Sequence, residues 1–319
     1  MHYRRLGRSG LKVSEIALGA WVTFGSQIEE KTAIDLMRAA YEQGINFFDN
    51  ADMYAGGQAE IVMGKAIHDL PREALVISSK VFWPTMPGPN GRGLSRKHIV
   101  ESVNASLKRM GVDYFDLYFC HRFDPDTPIE EVVRTMDMLI QQGKILYWGT
   151  SEWEAAQVSQ AIGMARQFGL TPPTMEQPQY NMFHRKRVEL GLAPLCKEFG
   201  LGLTTWSPLY FGVLSGKYND GIPQGSRASL PEMAWIRDSI TPERIAIVRR
   251  LTALAQEMEV TTAQLAIAWI LRRKEVSSVI TGATRLEQLD ENLLAADMVD
   301  KLNDDLLDQI EAILGEPTE

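Results

Sequence analysis

Residues 115–151 read FDLYFCHRFDPDTPIEEVVRTMDMLIQQGKILYWGTS. The stretch opens with a short apolar and aromatic run, 115–121, that ends in His121. A Pro- and Asp-rich spacer, DPDTP at 124–128, comes next, then a helical pattern at 129–142. A second apolar run at 147–150 leads into Ser151. Short continuous apolar runs are what strands buried on both faces require. Two of them separated by a helix read as one unit of a parallel sheet.

The same alternation extends in both directions. Strand-like runs fall at 16–19, 45–49, 75–80, 174–177, 203–206 and 278–281. Helical patterns fall at 30–43, 59–69, 96–110, 154–168, 186–199 and 286–296. In the first of these, Ile34, Met37, Ala40 and Tyr41 recur at helical spacing. Eight strands alternating with helices predict an α/β fold, a (β/α)8 TIM barrel, in preference to a doubly wound open sheet. The ends agree. Residues 3–6 and 11–14 flank GRSG, a hairpin placed to plug the barrel bottom. Two successive helical segments, 242–258 and 262–273, precede the last strand as extra helices near the C-terminus. At roughly 150 residues per domain the 319 residues suggest two domains, but a barrel of this length is one. The reading is therefore a single domain over 1–319. Residues 84–93 and 207–239 read as loops, the second long enough to be a lid.

Composition narrows the function. Hydrophobic residues make up 45% and charged residues 23%, ordinary for a globular protein. No run approaches ~20 apolar residues, so no membrane insertion is expected. The N-terminal MHYRRLGRSGLKVSE lacks an apolar signal segment, and the two cysteines, Cys120 and Cys196, fit a reducing cytoplasm. A net charge of −8 argues against nucleic acid as a partner. The five histidines show no metal-ligand spacing, so no metal is expected. The sequence has no G-x-S-x-G elbow, P-loop or Rossmann fingerprint.

The apolar runs end in polar residues: Asp49, Lys80, His121, Ser151, Gln177 and Ser207. One alone reads as a strand-end cap, but six in succession converge on the C-terminal mouth of a barrel, where active sites lie. Asp49, Lys80 and His121, with Tyr54, suit carbonyl chemistry. A tyrosine of pKa ~10 is a poor acid at neutral pH, and an ammonium beside it lowers that pKa. Asp49 would hold Lys80 charged, and His121 would donate to a carbonyl oxygen. The set would polarise a carbonyl and protonate the alkoxide left by hydride addition.

With those residues in view, the chain resembles the aldo-keto reductases, most closely the branch containing the β-subunits of voltage-gated potassium channels. YRRLGRSGLKVSEIALGAWVTFG, GINFFDNADMYAGGQAEIVMGKAI, LVISSKVFW, WGTSEW, TWSPL, QLAIAWILR and GATRLEQLDEN, in order, carry the resemblance over nearly the whole chain. It implies a catalytic tetrad of Asp49, Tyr54, Lys80 and His121, and NADPH as cofactor. Asp49, Trp21 and Gln27 would contact the cofactor near the first strands. Ser151 and Gln177 would hold its carboxamide, and Trp206 would stack near its ring. Ser207, Pro208 and Leu209 would line the pyrophosphate path, with Lys217 and Arg227 facing the phosphates. Gly282, Thr284, Arg285, Gln288, Glu291 and Asn292 would meet the adenosine end. Thr284 and Arg285 at a helix start favour a 2′-phosphate. Trp21, Tyr54, Trp83 and His121 would form the substrate pocket, rimmed by 84–93. The channel branch has asparagine where His121 stands, and histidine favours catalysis. Ala20, Glu152, Tyr210, Phe211 and Gly225 also depart from the branch, and Glu152, Tyr210 and Gly225 are expected beside the cofactor path. The resemblance implies reduction of small carbonyl substrates by a homo-oligomer, a tetramer. The alternative is a cofactor-bound regulatory subunit of a membrane channel or transporter.

Overall fold

The computed structural model describes residues 1–21 and 23–317. A short antiparallel hairpin, β1 (Tyr3–Arg5) and β2 (Lys12–Ser14), comes first. Eight parallel strands follow: β3 (Ile16–Gly19), β4 (Phe47–Asp49), β5 (Val76–Val81), β6 (Phe115–Cys120), β7 (Ile145–Ser151), β8 (Met175–Gln177), β9 (Gly202–Thr205) and β10 (Val276–Thr281). They pair in sequence order, and β10 returns to β3 to close the barrel. Seven of the eight are buried at every position, and only β7 shows side chains, Leu146 and Tyr147, near its start. Enclosure on both faces is why these runs lack the polar alternation of a half-solvated sheet.

Inside the barrel, Ala17, Phe47, Val76, Leu117, Phe119, Met175 and Ile280 pack on Leu6 and Val13 from the hairpin. The hairpin thus closes the N-terminal end. It is tied down by Arg4, which pairs with Glu15 and donates to the carbonyls of Arg273 and Val276 at 3.1 and 2.9 Å. Gly7, at φ 55°, lies so close to Gly200 that a Cβ would meet its carbonyl oxygen at 2.2 Å. A larger apolar layer separates the strands from the helices.

The surrounding helices are α1 (Glu30–Glu42), α2 (Gln58–Ile67), α3 (Arg96–Met110), α4 (Ile129–Gln141), α5 (Ala155–Gln167), α6 (Ala193–Phe199), α7 (Pro242–Glu257), α8 (Thr262–Leu271), α9 (Leu286–Leu293) and α10 (Asp304–Leu314). Local chemistry sets their ends. Ser95 caps α3, accepting from the amide of His98, and Gly111 in a left-handed conformation stops it. Thr261 and Gln264 form a reciprocal capping box at α8.

Three expectations change. Residues 186–199 divide into a π-helical stretch, Arg187–Leu192, and α6. Beyond α9 the chain tightens into a 3-10 segment, Leu294–Lys301. The long loop 207–239 is not continuous, because 3-10 turns at Tyr210–Ser215, Arg227–Ser229 and Pro231–Ser239 interrupt it. Its Gly and Pro content prevents a long helix but permits these single turns. Among the described residues, no helix is long and apolar enough to cross a membrane.

Candidate active site

Strand register gathers the polar strand ends at one rim. Asp49 lies opposite Ser78, and Ser151 lies opposite Gln177. Lys80 on β5 is fully buried. Its ammonium donates to Asp49 Oδ2 at 2.6 Å, to the carbonyl of Asn50 at 2.7 Å and to the Tyr54 hydroxyl at 3.3 Å. All three ammonium protons are thus placed. Asp49 Oδ1 accepts from Ser78 Oγ at 2.7 Å and from Gln177 Nε2 at 3.0 Å. One carboxylate therefore ties together β4, β5 and β8.

Tyr54 begins a tight turn, Tyr54–Gly57, in which Ala55, Gly56 and Gly57 all have positive φ. Two glycines meet that demand without strain, while Ala55 carries some. The Tyr54 ring stands edge-on to His121 at 5.8 Å between centroids, and Trp83 lies 6.4 Å from His121 on another side.

The electrostatics correct one expectation. Burial, then the charge of Asp49, pushes the Tyr54 phenol well above its usual pKa. The sequence predicts the opposite sign from Lys80. That ammonium is already offset by Asp49 at 2.6 Å, and burial outweighs it. Burial also lowers the Lys80 pKa, against the pull of Asp49. His121 is held well below the usual imidazole value by burial and by the charges of Lys80 and Arg122. A protonated phenol and a neutral imidazole with a single N–H stand together. Among the described residues, the buried His121 Nδ1 has no hydrogen-bond partner. A carbonyl oxygen between the two rings would meet hydrogen-bond donors, and the phenol has a proton to give.

These groups open into a cavity of about 710 Å³. Trp21, Gln27, Asp49, Tyr54, Trp83, His121, Ser151 and Gln177 line it, as do Trp206, Ser207, Pro208 and Leu209. Lys217, Arg227, Gly282, Thr284, Arg285, Gln288, Glu291 and Asn292 complete the predicted set. Lys80 is the one predicted site residue outside the lining, since it lies behind Asp49 and Tyr54. Ser151 Oγ donates to the Gln177 carbonyl at 2.9 Å, and Gln288 Oε1 accepts from both the amide and the hydroxyl of Thr284. None of 84–93 lines the cavity; Trp83 does.

Three cations share one stretch of wall. Among the described residues, neither Lys217 nor Arg227 forms an ion pair with a carboxylate. Arg227 reaches only Gln27 Oε1, at 3.4 Å. Arg285, exposed at the start of α9, has Glu287 at 3.7 Å. Lys217 as a whole is exposed, but its ammonium is drawn toward the cavity wall, and desolvation there first, then Arg227 and Arg285, pushes its pKa down to about 8. Gly212, at φ 96°, makes room for this lysine: a Cβ there would lie 2.5 Å from Lys217 Nζ. Cations gathered in this way, two of them without a carboxylate partner, fit the chemistry of a phosphate group.

Other lining residues escaped the sequence. Arg122 lines the catalytic end, and its position directly after His121 was the available signal. Met53 also lines the cavity, as does Phe211, which the sequence marks as a departure from the branch. Phe211, at φ 57°, stands 6.1 Å from Trp21 and 4.8 Å from Trp235. Gly225 lines the cavity as expected, whereas Glu152 and Tyr210 do not. Glu152 Oε2 accepts from Arg187 at 2.7 Å, and its Oε1 accepts from the Trp206 indole at 2.9 Å. Tyr210 packs among Phe183, His184 and Phe211.

A closed parallel barrel with a buried Tyr–Lys–Asp set at its mouth places the protein in the class of (β/α)8 barrels with a polar site at the C-terminal ends of the strands. The model of the Aldo/keto reductase family matches residues 15–314, and the chain belongs to that family. Two plant relatives match it over nearly full length. A protein of Arabidopsis thaliana is 51% identical over 318 residues, 98% of this chain and 97% of its own. One of Oryza sativa subsp. japonica is 49% identical with the same coverage. Both are named "Probable voltage-gated potassium channel subunit beta".

Proposed function

We propose that the protein reduces aldehydes or ketones to alcohols with NADPH, reversibly, as a single barrel domain over 1–319. The observation that carries this reading is the buried Lys80 ammonium shared between Asp49 and the Tyr54 phenol at the cavity wall. The bound nicotinamide would supply the hydride. Tyr54 would protonate the carbonyl oxygen, and its raised pKa keeps the proton in place at neutral pH. Lys80 would stabilise the phenolate left behind, with Asp49 fixing the ammonium. His121, neutral, would orient the carbonyl through its single N–H. In alcohol oxidation Tyr54 would act as the base.

The three cations support a phosphate-bearing cofactor, and Thr284 with Arg285 at the start of α9 supports NADPH over NADH. Ser207, Pro208 and Leu209 would line the pyrophosphate path, and Gln288, Glu291 and Asn292 would meet the adenosine. Residence in the cytoplasm accords with two buried, unpaired cysteines. A homo-oligomer, a tetramer by the family resemblance, is part of this reading and is tested by light scattering.

The test of the activity is to follow nicotinamide absorbance with NADPH and an aromatic aldehyde. Tyr54→Phe should cut kcat by roughly 10²–10⁴, the usual worth of a positioned acid. Turnover by this variant equal to the parent's would refute the assignment. A second reading, a cofactor-binding subunit of a membrane channel, rests on the names of the two plant relatives. Negligible turnover together with recovery of an integral-membrane partner would favour it.

A further inference from the structure

The catalytic end of the cavity holds a cation that the chemistry above does not use. Arg122 follows His121 at the end of β6 and faces the same cavity as Tyr54, His121 and Trp83. One of its terminal nitrogens donates to the carbonyl of His121, and the guanidinium lies 5.7 Å from the centroid of the Trp83 ring. Among the described residues it has no carboxylate partner, and the rest of its five N–H donors meet no protein acceptor.

The acids near Arg122 are committed elsewhere. Glu152 is occupied by Arg187, by the Trp206 indole and by the amide of Gln179. Glu176 is fully buried between the Thr150 hydroxyl and the amide of Trp153, and burial raises its pKa to about 8, so it is mostly uncharged at neutral pH. Lys80 is neutralised by Asp49. Arg122 is therefore the charge beside Tyr54 and His121 that makes no ion pair among the described residues, with Glu152 offsetting it only from a distance. A guanidinium partly withdrawn from water without a counter-ion is costly, and an incoming anion removes the cost. The planar fork suits the two coplanar oxygens of a carboxylate, and the face of Trp83 suits the flat or apolar body between two polar groups.

We propose that Arg122 sets substrate choice by binding a carboxylate, so that the preferred substrates are aldehydes or ketones that also carry a carboxylate group. The inference rests on the reductase reading. Its consequence is a two-point anchor, with the carbonyl at Tyr54 and His121 and the carboxylate at Arg122.

The experiment compares 4-formylbenzoate with its methyl ester, using NADPH. The acid should exceed the ester in kcat/KM by roughly tenfold or more, mainly through KM, as for a hydrogen-bonded charge pair. High salt should shrink that ratio. Arg122→Gln should bring the ratio to about one, and Arg122→Lys should retain part of it, because charge survives without the fork. An ester as good as the acid in the parent, or a preference that persists in Arg122→Gln, would overturn the proposal. Binding separates this from a failure of the reductase reading. Calorimetry with 4-(hydroxymethyl)benzoate should show binding that Arg122→Gln weakens, whether or not turnover is seen. Binding that is equal in the two proteins would likewise refute the role of Arg122. Should Arg122→Gln not fold, the salt dependence in the parent and the Arg122→Lys ratio decide.

Discussion

The two ends of the cavity handle charge in opposite ways. At the catalytic end, Lys80 and Asp49 form a closed set: every ammonium proton has an acceptor, and the carboxylate accepts from three residues on two strands. At the other end, desolvation first and then Arg227 and Arg285 depress the Lys217 pKa, with no carboxylate among the described residues paired with Lys217 or Arg227. A closed set keeps its geometry whether or not a ligand is present, as proton transfer requires. An open set changes its electrostatics when an anion arrives, as phosphate binding requires. The first should therefore respond to mutation in turnover and the second in affinity.

The sharpest way to break this contrast is Lys80→Met. Removing one partner of a buried pair typically costs ~3–5 kcal/mol. Here Ser78 and Gln177 still hold Asp49, so the barrel should remain folded with a lower melting temperature. Turnover should drop by at least as much as in Tyr54→Phe, while NADPH affinity changes little. Circular dichroism and cofactor titration separate these outcomes, and unchanged turnover would sink the role given to Lys80.

Arg227→Gln should show the converse. We expect NADPH affinity to fall roughly tenfold or more, the range of a charge-assisted hydrogen bond, with less effect on kcat. A loss confined to kcat would erase the distinction between the two ends. Arg285→Ala should act more narrowly, reducing the preference for NADPH over NADH by about tenfold and leaving NADH affinity nearly unchanged.

A pH titration sharpens the comparison further. Lys217 loses its proton near pH 8 in the free protein. A bound phosphate raises that pKa, so binding takes up a proton around and above pH 8. NADPH affinity should fall as pH rises through 8, by at most about tenfold per unit. Lys217→Met should bind more weakly at neutral pH and lose that part of the slope. The smallest effect concerns stability. Glu176 has a folded pKa near 8, raised from 4.5, so the unfolded chain releases this proton first as pH rises. Its contribution is fully present below about 4.5 and is lost by about 8. Glu176→Gln should therefore gain in melting temperature relative to the parent as pH rises from 5 to 8, by a few degrees.

Much of this was legible in the residues. The barrel follows from eight short apolar runs, because enclosed strands cannot afford polar alternation. Asp49, Lys80, His121, Ser151 and Gln177 were visible as polar strand ends, and a parallel barrel brings all such ends to one rim. The limits of reading are equally specific. Glu152 is adjacent to Ser151 in the chain, yet it turns to Arg187, 35 residues away, and leaves the cavity wall. Residues 207–239 look like one loop because short 3-10 segments broken by kinks leave no periodic pattern.

What the sequence determined by itself is the architecture and the identity of the chemical groups, since periodicity and strand-end placement are local properties of the chain. What only the tertiary structure decided is the state of those groups. Burial reversed the expected shift of the Tyr54 phenol, Asp49 neutralised Lys80 across 31 residues, and Arg122 was left without an ion pair among the described residues, offset only at a distance by Glu152. Desolvation and ion pairing depend on which atoms surround a charge within a few ångströms, and for these residues the neighbours come from distant parts of the chain.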